Sequence, residues 1–280
     1  MTCVSRLLKD AKALDRLYDL GFTDAPLKSE HEARRMTGRA ARCNVVLYSS
    51  GKLVIHGKDD AVAHVERTVF GNNDAKDKKK CFDDSDTVRL GGDECLKGDT
   101  FGGLVVCCVK ADKTMRRQLL SLEVADSKKI ADGKIRKMAL DILRVLGNEN
   151  VWVIELHPAE YNRMYSQTGS VTRMLNMMYE AAASKLGRYS ECVIDQYPGC
   201  MVNGCKSVEK GESKYIEVAA ASVVARYRGL LQMEELSKKA GFEVPLGSTH
   251  VAWALLRLKK EKRDFRDFVK THFRNVAEFL

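Results

Sequence analysis

Two adjacent carboxylates, Asp93 and Glu94, lie in a glycine-rich stretch between two predicted strands at 87–91 and 104–110. Ionised side chains at the junction of two strands cost free energy unless a counter-charge or a metal ion compensates them. The pair therefore indicates a cation site at this junction. An Asp-Glu pair on a solvated turn has the same local sequence, so that alternative stays open at this point.

Strand geometry limits how this pair can act. Successive side chains of a strand point to opposite faces, so Asp93 and Glu94 can face one ion only if the backbone leaves regular geometry. The neighbouring glycines permit such a departure. Gly98 and Gly102 also allow the main chain to approach a sugar-phosphate backbone closely, beside the positive charge of Lys97.

Two further carboxylates stand where α/β proteins place functional groups. Asp195 ends the mainly apolar segment 190–195, which predicts a strand with an acid at its carboxyl end. A turn or cap residue would have the same sequence there. Glu212 precedes a predicted helix at 218–240 that begins with small residues, so another element can pack closely against that helix.

Composition and charge favour a globular protein with a polyanionic partner. The 280 residues are 45% hydrophobic and 30% charged, and the formal charge of +9 favours nucleic acid as the partner. No stretch approaches the roughly 20 apolar residues of a membrane span, and residues 1–19 predict a charged amphipathic helix rather than a signal peptide. We expect no membrane partner and a cytoplasmic location, with a nuclear location open for a eukaryotic source.

The nine cysteines show no paired C-x-x-C spacing. An odd number of cysteines in a chain without a secretion signal predicts reduced thiols. Cys200 and Cys205 have the spacing of half a zinc site, but no matching Cys or His pair completes it. The sequence therefore predicts neither disulfides nor structural zinc.

The predicted elements divide the chain into three segments. Residues 1–70 contain a hairpin and a following helix, which predict a small α+β domain. Residues 71–86 are too polar to bury a core and predict a charged linker. Residues 87–280 predict an α/β sheet covered by helices. Within them we predict strands at 87–91, 104–110, up to about 124, 151–156 and 190–195, and helices at 133–146, 171–186, 218–240 and from about 251.

Six short blocks between residues 87 and 275 carry a family resemblance. They are Gly92-Asp93-Glu94 with Lys97-Gly98-Asp99-x-Phe101-Gly102, Ala125-Asp126-Ser127-Lys128-Lys129, Asp195-Gln196, Glu212-Ser213 with Ala219-Ala220-Ala221-Ser222-x-x-Ala225-Arg226-Tyr227, Pro245-Leu246-Gly247-Ser248 and Lys270-Thr271-His272-Phe273-Arg274-Asn275. In this order they resemble the type 2 ribonuclease H family and, within it, the ribonuclease HIII group. A chance match to one block is easy, whereas six in sequence are not.

The resemblance implies a fold for both predicted domains. It implies a ribonuclease H-like mixed sheet flanked by helices for residues 87–280. The segment 47–57 resembles the hairpin of the N-terminal substrate-binding domain of ribonucleases HIII, which is similar to the TATA-binding protein. Lys52 in this hairpin is then a candidate contact to the substrate backbone. Ribonucleases HII lack this domain, so its presence separates the two groups.

The resemblance also implies the reaction and its catalytic residues. Asp93, Glu94, Asp195 and Glu212 become the catalytic carboxylates and the ligands of two Mg²⁺ or Mn²⁺ ions. Four carboxylates brought together repel one another, and hard oxygen ligands select these cations. The implied activity is endonucleolytic hydrolysis of the RNA strand of RNA–DNA hybrids, which leaves 5′-phosphate and 3′-hydroxyl ends, with no obligate protein partner.

Substrate contacts are implied at several more positions. The family's Gly-(Arg/Lys)-Gly backbone reads the 2′-hydroxyl of RNA, and here Leu96 replaces the first glycine before Lys97 and Gly98. If that position needs a positive φ, Leu96 costs on the order of 1 kcal/mol. Gly103 stands where the family usually has proline, so we expect a looser loop. The remaining implied substrate contacts are Ser127, Lys128, Lys129 and Tyr215, although Tyr215 could equally belong to the core.

Two alternative functions stay open on the sequence. The Leu96 departure leaves room for ribonuclease HII-like incision at single ribonucleotides in duplex DNA. The first domain and the positive charge would also suffice for a non-catalytic hybrid-binding protein. The presence of all four carboxylates argues against loss of catalysis.

Overall fold

The computed structural model forms two compact units, Met1–Lys79 and Lys80–Leu280. The described residues are 2–8, 10–38, 42–70, 85–122, 124 and 132–280. Most of the predicted linker, 71–84, lies outside them. Three predicted substrate contacts, Ser127, Lys128 and Lys129, also lie outside the described residues.

The first unit is an antiparallel sheet with helices packed on one face. Its strands are β1 (Thr2–Leu7), β2 (Thr23–Asp24), β3 (Glu32–Gly38), β4 (Cys43–Tyr48) and β5 (Lys52–Gly57), in the spatial order β1-β5-β4-β3-β2. Helix α1 (Asp59–Phe70) follows β5, and a 3-10 helix (Ala11–Leu20) lies between β1 and β2. Leu14 and Leu17 of the 3-10 helix pack with Val62 and Val65 of α1 in one core. The hairpin of β4 and β5 and the following helix occupy their predicted places.

The start of the chain is a strand and a 3-10 helix, so the prediction of one amphipathic helix over 1–19 is wrong. Strand β1 pairs along its length with β5, from Thr2 opposite Gly57 to Leu7 opposite Lys52. Asp10 begins the 3-10 helix, where its carboxylate accepts a hydrogen bond from the Lys12 backbone at 3.0 Å. Pairing with the edge of β5 satisfies backbone groups on both strands, which outweighs the helical periodicity of this segment.

The second unit is a mixed five-stranded sheet with helices on both faces. Its strands are β6 (Arg89–Cys95), β7 (Leu104–Ala111), β8 (Val151–Leu156), β9 (Glu191–Asp195) and β10 (Lys206–Val208). Its helices are α2 (Lys113–Ser121), α3 (Asp132–Leu146), α4 (Pro158–Thr168), α5 (Val171–Lys185), α6 (Gly211–Lys214), α7 (Ile216–Ala240), α8 (Ala252–Lys260) and α9 (Arg274–Ala277), with 3-10 helices at Asn148–Asn150 and Phe265–Asp267. This architecture confirms the predicted α/β fold class.

The sheet order is β10-β9-β6-β7-β8, with β6, β7 and β8 antiparallel and β9 and β10 parallel to β6. The central strand β7 is buried on both faces, which explains its unbroken apolar sequence. Val105 and Cys107 face the core that contains α3, α7 and α8. Val106 and Cys108 face the core that contains α5. The sheet thus places β6 and β9, the two strands that carry acids at or near their carboxyl ends, side by side.

Two elements between the strands differ from the prediction. The strand expected to reach about 124 is instead helix α2. Asp112 begins α2 because its carboxylate accepts a hydrogen bond from the Met115 backbone at 2.8 Å, as an N-cap residue does. Helix α4, which was not predicted, has Pro158 in its first turn and Glu160 bonded back to the His157 backbone at 2.9 Å.

One disulfide joins Cys192 and Cys205, so the prediction that all thiols are reduced is wrong for this pair. The pairing follows from the sheet. Strand β10 runs parallel to β9 with Lys206 opposite Val193, which places the two preceding cysteines next to each other. The Cα atoms are 4.5 Å apart, although 13 residues separate the two positions in sequence. In the described part of the chain, six other cysteines are free: Cys3, Cys43, Cys95, Cys107, Cys108 and Cys200.

Helix α7 packs directly on strand β6 because Gly91 has no side chain. A Cβ atom at Gly91 would lie 2.4 Å from the backbone carbonyl carbon of Glu217. The Glu217 carboxylate is buried between Arg89, at 3.4 Å, and Arg116, at 3.5 Å. Burial raises the pKa of Glu217, while the two guanidinium groups act in the opposite direction. This buried cluster fixes the start of α7 over the strand that carries the first carboxylates.

Candidate active site

Strand β6 presents its two adjacent carboxylates on opposite faces of the sheet. A side chain at Gly91 would meet α7, whereas one at Gly92 would lie 2.8 Å from the ring of Tyr179 on α5. Because side chains alternate along a strand, Asp93 projects toward α7 and Glu94 toward α5. Both residues pair regularly with β7, so the backbone does not depart from strand geometry between them.

Asp93 is a buried carboxyl group held by two hydrogen bonds. Its Oδ1 accepts a bond from the backbone N–H of Glu94 at 2.8 Å. A second bond joins it to the Ser222 side chain on α7. Only 9% of Asp93 is exposed. The side chain is therefore oriented from both the strand and the helix.

Glu94 occupies a separate polar cluster on the other face. Its Oε2 accepts a hydrogen bond from the Tyr179 hydroxyl at 2.6 Å. Its Oε1 lies 2.5 Å from the Lys97 ammonium, which also sits 5.5 Å from the centre of the Tyr197 ring. Lys97, a predicted substrate contact, thus neutralises a carboxylate within the protein.

Asp195 lies beside Asp93 because the parallel strands β6 and β9 are paired up to Gly92 opposite Ile194. The two acids are the next residues on their strands. Asp195 Oδ1 accepts a hydrogen bond from the backbone N–H of Gly211 at 2.8 Å. This bond brings the start of α6, and with it the neighbouring Glu212, to the carboxyl end of β9.

The electrostatics of the cluster appear in the pKa of Asp93, which rises to about 8. Burial is the largest cause, and the negative charges of Glu94 and Asp195 add to it. The hydrogen bonds from Ser222 and from the Glu94 backbone act in the opposite direction. In the absence of a cation, burial and the neighbouring negative charges therefore disfavour the ionised form of Asp93.

The donor set fits a hard divalent cation. Asp93, Asp195 and Glu212 offer only carboxylate oxygens, which are the ligands that Mg²⁺ and Mn²⁺ prefer. A cation would favour the ionised form of Asp93, whose pKa is raised in its absence. Among the described side chains, no group of three His, Cys, Asp or Glu residues forms a ready coordination shell. The acids therefore supply the correct chemistry without a preformed cage.

The loop of residues 96–103 connects β6 and β7 and begins at Leu96. This residue has φ of +66°, so the condition under which Leu96 carries a conformational cost is met. Its side chain is 4% exposed and belongs to the core that contains α7. Gly98 is exposed, and a Cβ atom added there would meet no atom within 4 Å. The loop therefore begins with a residue in the left-handed conformation that glycine favours, and its backbone at Lys97 and Gly98 is open.

The expectation that Gly103 loosens this loop is wrong. A Cβ atom at Gly103 would lie 1.9 Å from the carbonyl oxygen of Leu156, so the position has no room for a side chain. The Gly103 N–H donates to Oε1 of buried Gln232 at 2.7 Å. Gln232 in turn donates to Glu155 at 3.1 Å. Proline would lack the N–H, and glycine here gains a bond to α7 instead.

The other predicted contacts differ in how the structure places them. Tyr215 is half-buried between α6 and α7, and the Arg89 guanidinium lies 5.2 Å from the centre of its ring. It is thus packed on one side without being part of a hydrophobic core. Lys52 is exposed on β5 of the first unit. Their roles toward substrate stay predictions.

Sequence reasoning missed three residues that organise this site. Ser222 bonds to Asp93, Tyr179 bonds to Glu94, and Gln232 bonds to the loop at Gly103. Ser222 had a signal, because it is the polar residue in the small-residue start of α7. Tyr179 and Gln232 had none, since each reaches its partner only through the packing of a helix on the sheet.

Comparison with known proteins identifies the family. The ribonuclease HII family model matches residues 90–276. A ribonuclease HIII of Bacillus subtilis (strain 168) is 32% identical over 269 residues, which cover 84% of this chain and 84% of that protein. Another ribonuclease HIII, from Exiguobacterium sibiricum, is also 32% identical, over 87% of this chain and 86% of that protein. The resemblance predicted from the sequence is thereby confirmed.

The solved structures agree on the fold. Bst-RNase HIII in complex with Mn²⁺ matches with a TM-score of 0.64 at 23% identity, over 99% of this chain and 98% of that one. RNase H3 of Aquifex aeolicus matches with a TM-score of 0.57 at 24% identity, over 99% and 100% of the two chains. The fold of those proteins thus extends over nearly the whole length of this one. The chain belongs to the ribonuclease HII family of metal-dependent ribonucleases, and its curated relatives within that family are ribonucleases HIII.

Proposed function

We propose that Asp93, Asp195 and Glu212 form the metal-binding centre at which this ribonuclease hydrolyses the RNA strand of RNA–DNA hybrids. The observation that carries the proposal is the buried Asp93 beside Asp195 at the ends of adjacent parallel strands, with its pKa raised to about 8. These three carboxylates would hold Mg²⁺ or Mn²⁺, which would supply activation of a water molecule and charge stabilisation at the leaving 3′-oxygen. The products would carry 5′-phosphate and 3′-hydroxyl ends.

The protein's own residues orient this centre. Ser222 and the Glu94 backbone hold the Asp93 carboxylate, while the Gly211 N–H holds Asp195. Fixed carboxylates bind a cation without losing further rotamer freedom. Glu94 remains a predicted catalytic residue and metal ligand. Because Tyr179 and Lys97 bind its side chain, we assign its contribution to the backbone carbonyl or to a side chain released from that cluster.

Recognition of the RNA strand is assigned to the backbone of the 96–103 loop. Lys97 already pairs with Glu94, so its peptide group rather than its ammonium is the better contact for a ribose. The exposed Gly98 lets a 2′-hydroxyl come close to the main chain. Tyr215 would pack against a sugar with the ring face opposite Arg89. The run Ser127, Lys128 and Lys129 would contact phosphates, as the resemblance implies.

The first unit supplies a second binding surface in this proposal. Lys52 alternates with Leu53 along β5, and Leu53 is buried in the core under α1. Lys52 therefore points to the face of the sheet opposite α1. Lys52→Gln should weaken hybrid binding and reduce the slope of log affinity against log salt by about one. Lys12→Gln, on the 3-10 helix, is the control; equal effects of both would remove Lys52 from the binding surface.

Cleavage assays test the proposed centre directly. The substrates are a labelled RNA strand paired with DNA, and a DNA duplex that contains one ribonucleotide, each with Mg²⁺ and with Mn²⁺. We expect Asp93→Asn and Asp195→Asn to abolish cleavage of the hybrid while hybrid binding remains. Asp141→Asn, an acid on α3 that pairs with Arg144, is the matched control and should cleave normally.

The outcomes separate the alternatives. Full activity of Asp93→Asn would exclude that residue from the mechanism. Efficient incision of the duplex with one ribonucleotide, without cleavage of the all-RNA strand, would replace the hybrid substrate with the ribonuclease HII-like one. Leu96 gives no reason to expect this, because it adopts a positive φ, a conformation that glycine also adopts readily.

We further propose that the enzyme acts in the cytoplasm without an obligate protein partner. Its curated relatives are bacterial proteins, which supports the location. In the described residues, no helix is long and apolar enough to span a membrane. Cleavage by the purified chain alone would support independence from a partner, and a requirement for added cell extract would contradict it.

A further inference from the structure

The C-terminal segment 268–275 packs against the 96–103 loop and is joined to it by hydrogen bonds. The Lys270 N–H donates to the carbonyl of Thr100 at 3.0 Å, and the Gly102 N–H donates to the carbonyl of Phe268 at 3.0 Å. The Asn275 side chain donates to the Thr100 hydroxyl at 2.8 Å. Hydrogen bonds from both main chain and side chains therefore hold the loop against a segment about 170 residues away in sequence.

Lys270 lies at the centre of these contacts between the C-terminal segment and the loop. It is completely buried, and its ammonium donates to the carbonyls of Asp99 at 2.5 Å and Gly102 at 3.0 Å. The rings of Tyr161 and Phe273 flank the ammonium at 5.2 and 5.5 Å from their centres. Lysine is almost never fully buried, because desolvating its charge is costly. A lysine placed here indicates a requirement for the two bonds that it makes.

The charged surroundings are consistent with that cost. Burial lowers the pKa of Lys270 to about 7, and the negative charge of Asp99 acts in the opposite direction. The neighbouring His272 has its own pKa lowered, first by burial and then by Lys270. The Lys270 side chain therefore stays buried although burial disfavours its charged form.

We propose that Lys270 is a positioning residue for RNA recognition, because it holds the Asp99 and Gly102 carbonyls and so orients the open backbone at Lys97 and Gly98. The assignment rests on the proposed function, in which that backbone contacts the ribose. The two carbonyls lie immediately after the open segment, on the same short loop. Without the ammonium, both would need new partners, and a shift of about 1 Å in a positioning element is enough to impair a reaction.

Binding measured without cleavage tests this role. The probes are a labelled RNA–DNA hybrid and a DNA duplex of the same sequence, with EDTA present, and the readout is the ratio of the two dissociation constants. We expect wild type to prefer the hybrid, and Lys270→Met to lose about tenfold of that preference, as for a lost bond to a charged group. Leu258→Ala, a buried change on α8, should lower thermal stability but keep the preference.

Each result has one meaning. An unchanged preference in Lys270→Met, with stability lowered as in Leu258→Ala, would reduce Lys270 to a structural residue and overturn the proposal. Should Lys270→Met fail to fold, Asn275→Ala is the second variant, because it removes the neutral hydrogen bond from the same segment to Thr100. Asn275→Ala should lose a smaller part of the hybrid preference than expected for Lys270→Met. An unchanged preference in Asn275→Ala would also overturn the proposal. Absence of hybrid preference in wild type would instead refute the proposed recognition of the RNA strand by the backbone of the 96–103 loop, whereas the cleavage assays test the metal centre independently.

Discussion

Leu96 occupies a backbone conformation that suits glycine, and its replacement measures the strain. At φ of +66° its Cβ approaches the neighbouring carbonyl, which costs roughly 1–2 kcal/mol. Burial of the side chain offsets this cost. The side chain is 4% exposed and packs against the backbone at Gly102 and Gly229. Removal of a buried leucine to alanine costs about 2–5 kcal/mol. Both Leu96→Ala and Leu96→Gly should therefore destabilise the second unit.

The strain at position 96 is measured by the difference in free energy of unfolding between Leu96→Ala and Leu96→Gly. In a regular strand glycine is roughly 0.5–1 kcal/mol worse than alanine. At Leu96 the relief of strain should cancel or reverse that order. Leu104, which is fully buried in the regular strand β7, provides the control pair Leu104→Ala and Leu104→Gly. We expect the alanine-to-glycine step to be about 1–2 kcal/mol more favourable at position 96 than at position 104.

Urea unfolding followed by tryptophan fluorescence can measure this difference. Both tryptophans, Trp152 and Trp253, lie in the second unit, so the signal reports the unit that contains Leu96. The comparison uses free energies of unfolding of all four variants at one pH without added metal. Equal alanine-to-glycine steps at the two positions would refute the claim that Leu96 is strained.

Three further predictions concern buried charges and close packing in the second unit. Glu217→Gln should lower the free energy of unfolding by about 3 kcal/mol in urea unfolding, since it leaves two buried guanidinium groups without their shared carboxylate; a loss below about 1 kcal/mol would contradict this. Gly103→Ala should cost about 3 kcal/mol because its Cβ would lie 1.9 Å from a carbonyl oxygen, whereas Gly98→Ala, with open space, should cost less than about 1 kcal/mol; similar losses would exclude the steric argument. Lys270 has its pKa lowered from 10.5 to about 7, so between these values the unfolded chain binds more protons and stability rises with pH. Relative to Lys270→Met, wild type should gain at least about 1.4 kcal/mol in thermal or urea unfolding between pH 7 and pH 10, and parallel pH profiles would show that this lysine is not desolvated.

Local sequence patterns determined much of the secondary structure. The strand predicted at 151–156 is β8, and the periodicity of 171–186 and 218–240 corresponds to α5 and α7. Such patterns succeed where one element buries a continuous apolar face, because the same periodicity then governs both the sequence and the packing. They fail at β1, where the partner strand β5 is distant in sequence and its edge decides the structure.

The sequence by itself determined the identity of the acids and the family to which the chain belongs. Only the tertiary structure decided which groups these residues face. Glu94 turns away from Asp93 toward Tyr179, and Cys192 meets Cys205. The physical reason is the same in each case. Side-chain chemistry and local backbone preference are properties of neighbouring residues, whereas contact partners depend on strand register and helix packing between segments far apart in the chain.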